Sequence, residues 1–244
     1  MPRAYKKAKI EMEELEVKIK EIIQRAPKVK SVRLDIPQAL EFKAGQFCCV
    51  WLKSEKECKR YLSISSSPTE KGYIEFTKKI TESNFSKILN DLKAGDSLKI
   101  QFPFGKFTLD DPGAKIAFLS GGIGITPIRS ICKYTVDKKL GTDIILIYAN
   151  RSFEDIVFKE DFDLMQKEYP KLKVAHVLCE PAPGFKSTIG LINAQIIKDE
   201  VPDYANRKFY ICGPPAMVEA MEKILIEELV LPKDNIITEN FAGY

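Results

Sequence analysis

The stretch Ile116-Ala117-Phe118-Leu119-Ser120-Gly121-Gly122-Ile123-Gly124-Ile125-Thr126-Pro127 decides the fold. An apolar strand runs into a glycine turn, and a helix follows at once. Glycines let backbone amides approach a phosphate closely, Pro127 suits a first helical turn, and Thr126 is placed to cap it. Free amides and the positive end of the helix dipole then face an anion. This is not the usual Gly-x-Gly-x-x-Gly fingerprint, because Pro127 stands where a third glycine would. Tight strand-to-helix turns need glycine anyway, so position carries the argument: ligands of parallel sheets bind at the carboxyl ends of strands. A second such end is Ile211-Cys212-Gly213-Pro214-Pro215-Ala216-Met217. Two matched turns point to a nucleotide cleft.

Around these turns, apolar strands alternate with amphipathic helices. Strands are predicted at Ile116–Leu119, Ile144–Tyr148, Leu172–Leu178, Phe209–Cys212 and near Ile236–Thr238. Helices fit between them at Pro127–Val136, Glu154–Glu168, about Leu191–Lys198 and Ala216–Leu229, with Ser152 and Asp155 forming a capping-box-like start to the second. Such alternation specifies an α/β domain with a parallel five-stranded sheet covered on both faces.

Upstream the grammar changes. Val17–Ile22 alternates apolar and polar, Val29–Ile36 partly so, Phe47–Leu52 is nearly all apolar, and Tyr73–Thr77 alternates again. Turns at Pro37, Gly45, Pro68–Gly72 and Gly95-Asp96 separate them. Short strands at close spacing imply an antiparallel barrel or sandwich. One helix interrupts it, with Phe85, Ile88, Leu89 and Leu92 at helical spacing. Asp110-Asp111-Pro112-Gly113 marks the change of style, dividing a first domain, 10–111, from a second, 112–244.

Bulk properties exclude several classes. Lys and Arg number 38 against 34 acids, a net charge of +4, too small and too evenly spread to argue for nucleic acid. The longest clean apolar run, Ile144 to Ala149, falls far short of the roughly 20 residues of a crossing helix, so no membrane span is expected. The basic start, Arg3, Lys6, Lys7 and Lys9, lacks the apolar core of a secretory signal and reads as a solvated tail. Six cysteines form no CxxC pair, and with one histidine they leave few ligands for zinc or an iron–sulfur cluster. Five of them, all but Cys212, read as buried thiols of a reducing, cytoplasmic compartment.

Three motifs in order resemble the ferredoxin–NADP reductase superfamily. Arg60-Tyr61-Leu62-Ser63-Ile64-Ser65-Ser66 is similar to the flavin signature R-x-Y-S, with Tyr and Leu exchanged. Gly121 to Pro127, with Gly122, Gly124, Ile125 and Thr126, resembles the nicotinamide-dinucleotide loop, and Cys212-Gly213-Pro214-Pro215-Ala216-Met217 resembles C-G-P-P-x-M. The likeness implies a six-stranded Greek-key barrel binding FAD, then a five-stranded parallel sheet binding NADH or NADPH. It implies that Arg60 holds the flavin pyrophosphate and that Ser63 approaches flavin N5. Strand alternation sends Tyr61, Ser63 and Ser65 one way and Arg60, Leu62 and Ile64 the other. Tyr61 is either a stacking ring or an ordinary strand tyrosine, with Leu62 replacing the ring if the family aromatic belongs there. Ser83-Asn84-Phe85-Ser86 opens the barrel helix, where relatives bind the pyrophosphate through amides and a serine; a plain N-cap by Ser83 or Asn84 is compatible with that.

The resemblance further implies hydride transfer across stacked rings, with Ser63, Cys212 and Glu239 as catalytic candidates. Cys212 either faces the nicotinamide or is a structural thiol. Glu239-x-Phe241 fits a terminal Glu-x-aromatic pattern whose ring covers the flavin, with Phe241 preferred to Tyr244. Cys179-Glu180-Pro181 occupies the place where NADPH-using relatives carry Ser-Arg; Glu180 repels a 2′-phosphate and favours NADH, while Arg151 and Lys186 nearby suit NADPH. The electrons pass to ferredoxin or flavodoxin, to a partner enzyme such as an oxygenase or hydrogenase, or to free flavin. Lys53, Lys56, Lys59 and Arg60 read either as a docking face for an acidic carrier or as ordinary solvated charge near a strand end. A flavin-binding subunit without turnover of its own is the alternative of a different class.

Overall fold

The computed structural model describes residues 14–37, 41–52 and 58–240. Phe241 and Tyr244, the basic residues Arg3, Lys6, Lys7 and Lys9, and Lys53 and Lys56 lie outside the described residues.

The first half is a six-stranded antiparallel sheet in the order β4-β3-β6-β1-β2-β5. Its strands are β1 (Glu14–Ala26), β2 (Val29–Leu34), β3 (Phe47–Leu52), β4 (Cys58–Ser63), β5 (Ile74–Lys79) and β6 (Ser97–Phe104). A bridge between Ile64 and Phe76, with the Ser65 amide donating to the Glu75 carbonyl at 2.7 Å, joins the first strand of that order to the last. Closure turns alternate side chains inward, so Val17, Ile19, Leu34, Val50, Leu62, Phe76 and Ile100 share one core. β6 had no counterpart in the sequence reading. Its Leu98, Ile100 and Phe102 alternate with Lys99 and Gln101, a period-two signal lying just after the Gly95-Asp96 turn. Helix α1 (Asn84–Asp91) plugs the barrel with Phe85 and Leu89.

The second half is a parallel sheet in the order β10-β9-β8-β7-β11-β12. Its strands are β7 (Lys115–Gly121), β8 (Asp143–Asn150), β9 (Leu172–Leu178), β10 (Thr188–Ile189), β11 (Lys208–Gly213) and β12 (Ile236–Asn240). Six strands replace the five predicted, because the two-residue β10 adds an edge too short to leave a periodic trace. Helices α2 (Ile125–Lys138) and α3 (Lys159–Glu168) pack on one face, α4 (Ala194–Glu200) and α5 (Pro215–Lys223) on the other.

Two caps differ from expectation. α2 starts at Ile125, so Thr126 sits inside its first turn and donates from Oγ1 to the Ile123 carbonyl at 3.1 Å instead of capping. Ser152 opens only a short 3-10 turn, Phe153–Asp155; α3 begins at Lys159, after Phe158 turns the chain with φ 63°. Cys179 is exposed, unlike the buried thiol expected, because it lies just past the end of β9. Among the described residues no helix is long and apolar enough to cross a membrane.

Candidate active site at the seam of the two halves

Both glycine turns close at the same end of the parallel sheet. β7 and β11 are hydrogen-bonded neighbours, and Gly121 and Gly213 face each other beyond them. Gly124 is required by contact: a Cβ there would lie 2.2 Å from the Cys212 carbonyl oxygen. Gly122 is required by conformation, with φ 53° and open space beside it. Beside these turns opens a cleft of about 500 Å³, lined by Gly121, Gly122, Asn150, Arg151 and Pro214, and by Lys79 of the barrel. α2 has no side-chain cap; instead a 3-10 turn, Gly122–Gly124, runs into it, and the Ile125 amide donates back to the Gly122 and Ile123 carbonyls.

Asn150 was missed by the sequence reading. It is 7% exposed and its amide has no hydrogen-bond partner, an arrangement that suits a bound polar group. The signal was present: a lone polar residue ends the apolar run of β8 at its carboxyl end. Arg151 and Glu180, weighed separately for nucleotide choice, form one ion pair at 2.9 Å. Each compensates the other's charge, so neither alone sets the local potential.

On the barrel-facing side of the sheet, Ser120, Cys212 and Glu239 stand in register on β7, β11 and β12. Cys212 is wholly buried, and burial, then the Glu239 carboxylate, push its thiol well above the usual range. It is a neutral thiol at neutral pH. Burial pushes the Glu239 carboxyl up to about 7, and its Oε2 has no partner. A Cβ on Gly105 would lie 3.8 Å from Glu239 Oε1 and 2.7 Å from the Phe47 ring. Phe47 pairs with Ser63 across β3 and β4. Ser63 is 5% exposed and its Oγ also lacks a partner. Successive contacts thus link Ser63, Phe47, Gly105, Glu239 and Cys212 across the two halves.

The surface of β4 completes the site. Leu62 points into the barrel core at 2% exposure, while Tyr61 is 59% exposed and meets Phe47 and Phe104 edge-on at 5.7 and 5.9 Å. The outward ring on this strand is therefore Tyr61, as alternation requires, and Leu62 does the work of core packing. Arg60 shares the face of Leu62 yet escapes to solvent by laying its guanidinium 5.8 Å from the Phe85 ring at the start of α1. Lys78, unremarked in the sequence, is buried nearby; desolvation first, then the Arg60 charge, push its amine down to about 8. Ser83 caps α1 by accepting from the Ser86 amide at 3.3 Å, and the Thr81, Ser83 and Ser86 hydroxyls bond one another at 3.1 Å. Asn84 is exposed and does not supply the cap.

These residues fit a flavin and a dinucleotide. Buried atoms without partners on Ser63, Asn150 and Glu239, an outward aromatic face, and the two cations Arg60 and Lys78 suit polar, planar and anionic groups.

Comparison with known proteins agrees. Residues 14–109 match the oxidoreductase FAD-binding domain and residues 118–223 the oxidoreductase NAD-binding domain. NADH-cytochrome b5 reductase 1 of Mortierella alpina is 35% identical over 185 residues, covering 73% of this chain and 61% of that protein. The glycine betaine monooxygenase reductase subunit of Pseudomonas aeruginosa is 30% identical over 198 residues, covering 78% and 54%. The match to these curated relatives thus spans only between half and two thirds of their length. In fold, the cytochrome b5 reductase domain of Ulva prolifera nitrate reductase superposes with a TM-score of 0.83 at 24% identity, covering 93% of this chain and 97% of that one.

Proposed function

The chain belongs to the ferredoxin–NADP reductase superfamily, and on that premise we propose that it is an FAD-dependent reductase passing hydride from NADH to flavin and electrons to a separate acceptor. The observation that carries this is the seam: Ser63 of the barrel half and Glu239 of the parallel-sheet half each hold a buried oxygen without a partner, and Phe47 and Gly105 lie between them. The changeover near Asp110–Gly113 divides the two binding domains, 10–111 and 112–244.

Bound FAD would accept a hydride and release electrons one at a time. Arg60, Lys78 and the start of α1, with Asn84, Phe85 and Ser86, hold its pyrophosphate by charge and amides. Tyr61, with its exposed ring, would offer the planar group a face, and Ser63, with its unpartnered Oγ, would offer it a hydrogen bond. On the other side the turn Gly121–Gly124, with Ile125, Thr126, Pro127, Gly213 and Pro214, shapes the cradle for the nicotinamide dinucleotide. Asn150 and Arg151 line it. Cys212 offers an apolar, neutral contact to the nicotinamide, and Glu239 holds or releases a proton near neutral pH. Of the two, Cys212 is wholly buried and Glu239 partly so.

The relatives' names support an NADH donor and a protein acceptor, either a small electron carrier or an oxygenase component. The Arg151–Glu180 pair supports the same donor, since Glu180 occupies the cation that a 2′-phosphate would otherwise meet. Six free cysteines support a reducing, cytoplasmic compartment.

The test is to purify the protein with its yellow cofactor and mix it anaerobically with NADH or NADPH. Bleaching of the flavin band, faster with NADH, is expected; retained colour with both nucleotides removes the reading. Glu180→Ala is expected to raise kcat/KM for NADPH relative to NADH by about tenfold, roughly 1.4 kcal/mol of discrimination.

A further inference from the structure

Helix α2 does more than carry the nucleotide turn at its start. Its side is bolted to the segment 65–70, which continues directly from β4. Arg129, 6% exposed, donates from Nη1 to the Ser65 carbonyl at 3.2 Å and grips the Glu70 carboxylate with Nη1 and Nη2, the latter at 3.1 Å. The neighbouring Ser130 donates from Oγ to the Ser66 carbonyl at 2.6 Å. Two turns later, Thr69 donates its hydroxyl to Asp137.

Both ends of this bolt are themselves held. Glu70 also accepts from the Ser67 amide at 2.6 Å and from the Tyr73 hydroxyl at 3.0 Å. Burial alone would raise its carboxyl; the Arg129 guanidinium overrides that and holds it below the usual carboxylate range. On the other side, Arg129 Nε donates to Asp161 of α3 at 2.9 Å. The Phe158 ring lies between the two guanidinia, 5.0 Å from that of Arg25 in the barrel and 5.5 Å from that of Arg129. A charge this desolvated holds its place only while carboxylates and carbonyls surround it, and of its two carboxylates only Glu70 lies across the seam.

The covalent routes from this bolt to the site are short. Ser63 lies two residues before Ser65, and Gly124 lies five residues before Arg129. No shorter connection between the flavin-side strand and the dinucleotide turn passes through side-chain hydrogen bonds among those described. We infer that Arg129 is a positioning residue: through Glu70 and the Ser65 carbonyl it sets the spacing between the flavin-binding strand and the dinucleotide turn, and so the hydride-transfer distance. The inference rests on the reductase reading.

Asp161 separates positioning from mere support, since its bond to Arg129 stays within the parallel-sheet half whereas that of Glu70 crosses the seam. The experiment compares wild type, Arg129→Gln, Glu70→Gln, Ser130→Ala and Asp161→Asn as flavin-loaded full chains. Flavin content, melting temperature, NADH Kd and the saturating rate of anaerobic bleaching are read for each. Arg129→Gln and Glu70→Gln are expected to slow bleaching by on the order of 10- to 100-fold, the scale of an ångström-level misplacement. NADH Kd and flavin content are expected to stay within about twofold of wild type, as is the rate of Asp161→Asn, because each bound group keeps its own pocket. Should Arg129→Gln fail to fold, Glu70→Gln and Ser130→Ala carry the same expectation. Unchanged rates in the variants that cross the seam overturn the inference, and so does equal slowing in Asp161→Asn, which marks a structural role. A wild-type protein that holds flavin and is bleached by neither nucleotide removes the reductase reading itself, and the inference with it.

Discussion

At the scale of single residues, Glu239 is the group whose chemistry the fold has altered most usefully. An exposed glutamate releases its proton near 4.5, whereas burial moves this one to about 7. Between those values the folded state binds the extra proton, so stability falls as pH rises through that window, and the penalty is complete above it. Glu239→Gln removes the penalty. In the cofactor-free protein the variant should match wild type near about pH 4.5 and exceed it by on the order of 2 kcal/mol above about pH 7, discounted for partial exposure. Urea unfolding across that range checks this; a constant difference between the two proteins would show that Glu239 does not titrate there. Arg60, Ser63, Cys212 and Glu239 were named from motifs, and the fold brings Ser63, Glu239 and Cys212 to one seam. Asn150 and Lys78 were not, because an isolated Asn or Lys at a strand end looks like ordinary surface until burial is known.

At the scale of elements, the two glycine turns are one unit. Gly124 ends the turn between β7 and α2 and Cys212 belongs to β11, yet their backbones touch, leaving no room for a methyl group. Gly124→Ala should therefore cost about 3 kcal/mol or more and weaken dinucleotide binding, since relief means parting the strand ends. Gly122→Ala meets open space and bears only the left-handed backbone, about 1–2 kcal/mol. Melting curves of the two variants check the ranking; equal costs would mean that conformation, not contact, governs the turn. Periodicity placed β3 and β9 at their observed bounds, because continuous apolar runs bounded by turns have few alternatives. It missed β6 and β10, one in the shadow of a turn and one too short to repeat. The start of α3 was misplaced because Phe158 adopts a left-handed conformation that no local pattern announces.

At the scale of the whole molecule, Phe158 shows how the halves are held. It is 3% exposed and flanked by cations from both. Phe158→Ala should cost on the order of 3–5 kcal/mol from the cavity, with lost cation–π contacts adding to it. Because that loss falls at the seam, calorimetry is expected to show the halves melting separately where the parent protein melts once. A single lowered transition would place the loss inside one half. What the chain's order of residues determined is the succession of a barrel and a parallel sheet, and the motifs each would present, since turn chemistry and side-chain period act over a few neighbours. Only the tertiary structure decided that Tyr61 faces outward and Leu62 inward, that Arg151 and Glu180 neutralise each other, and that Arg129 reaches Glu70. The two ion pairs depend on groups 29 and 59 residues apart becoming neighbours, and the facing of β4 depends on which side of the strand the barrel closes over, properties that no local pattern encodes.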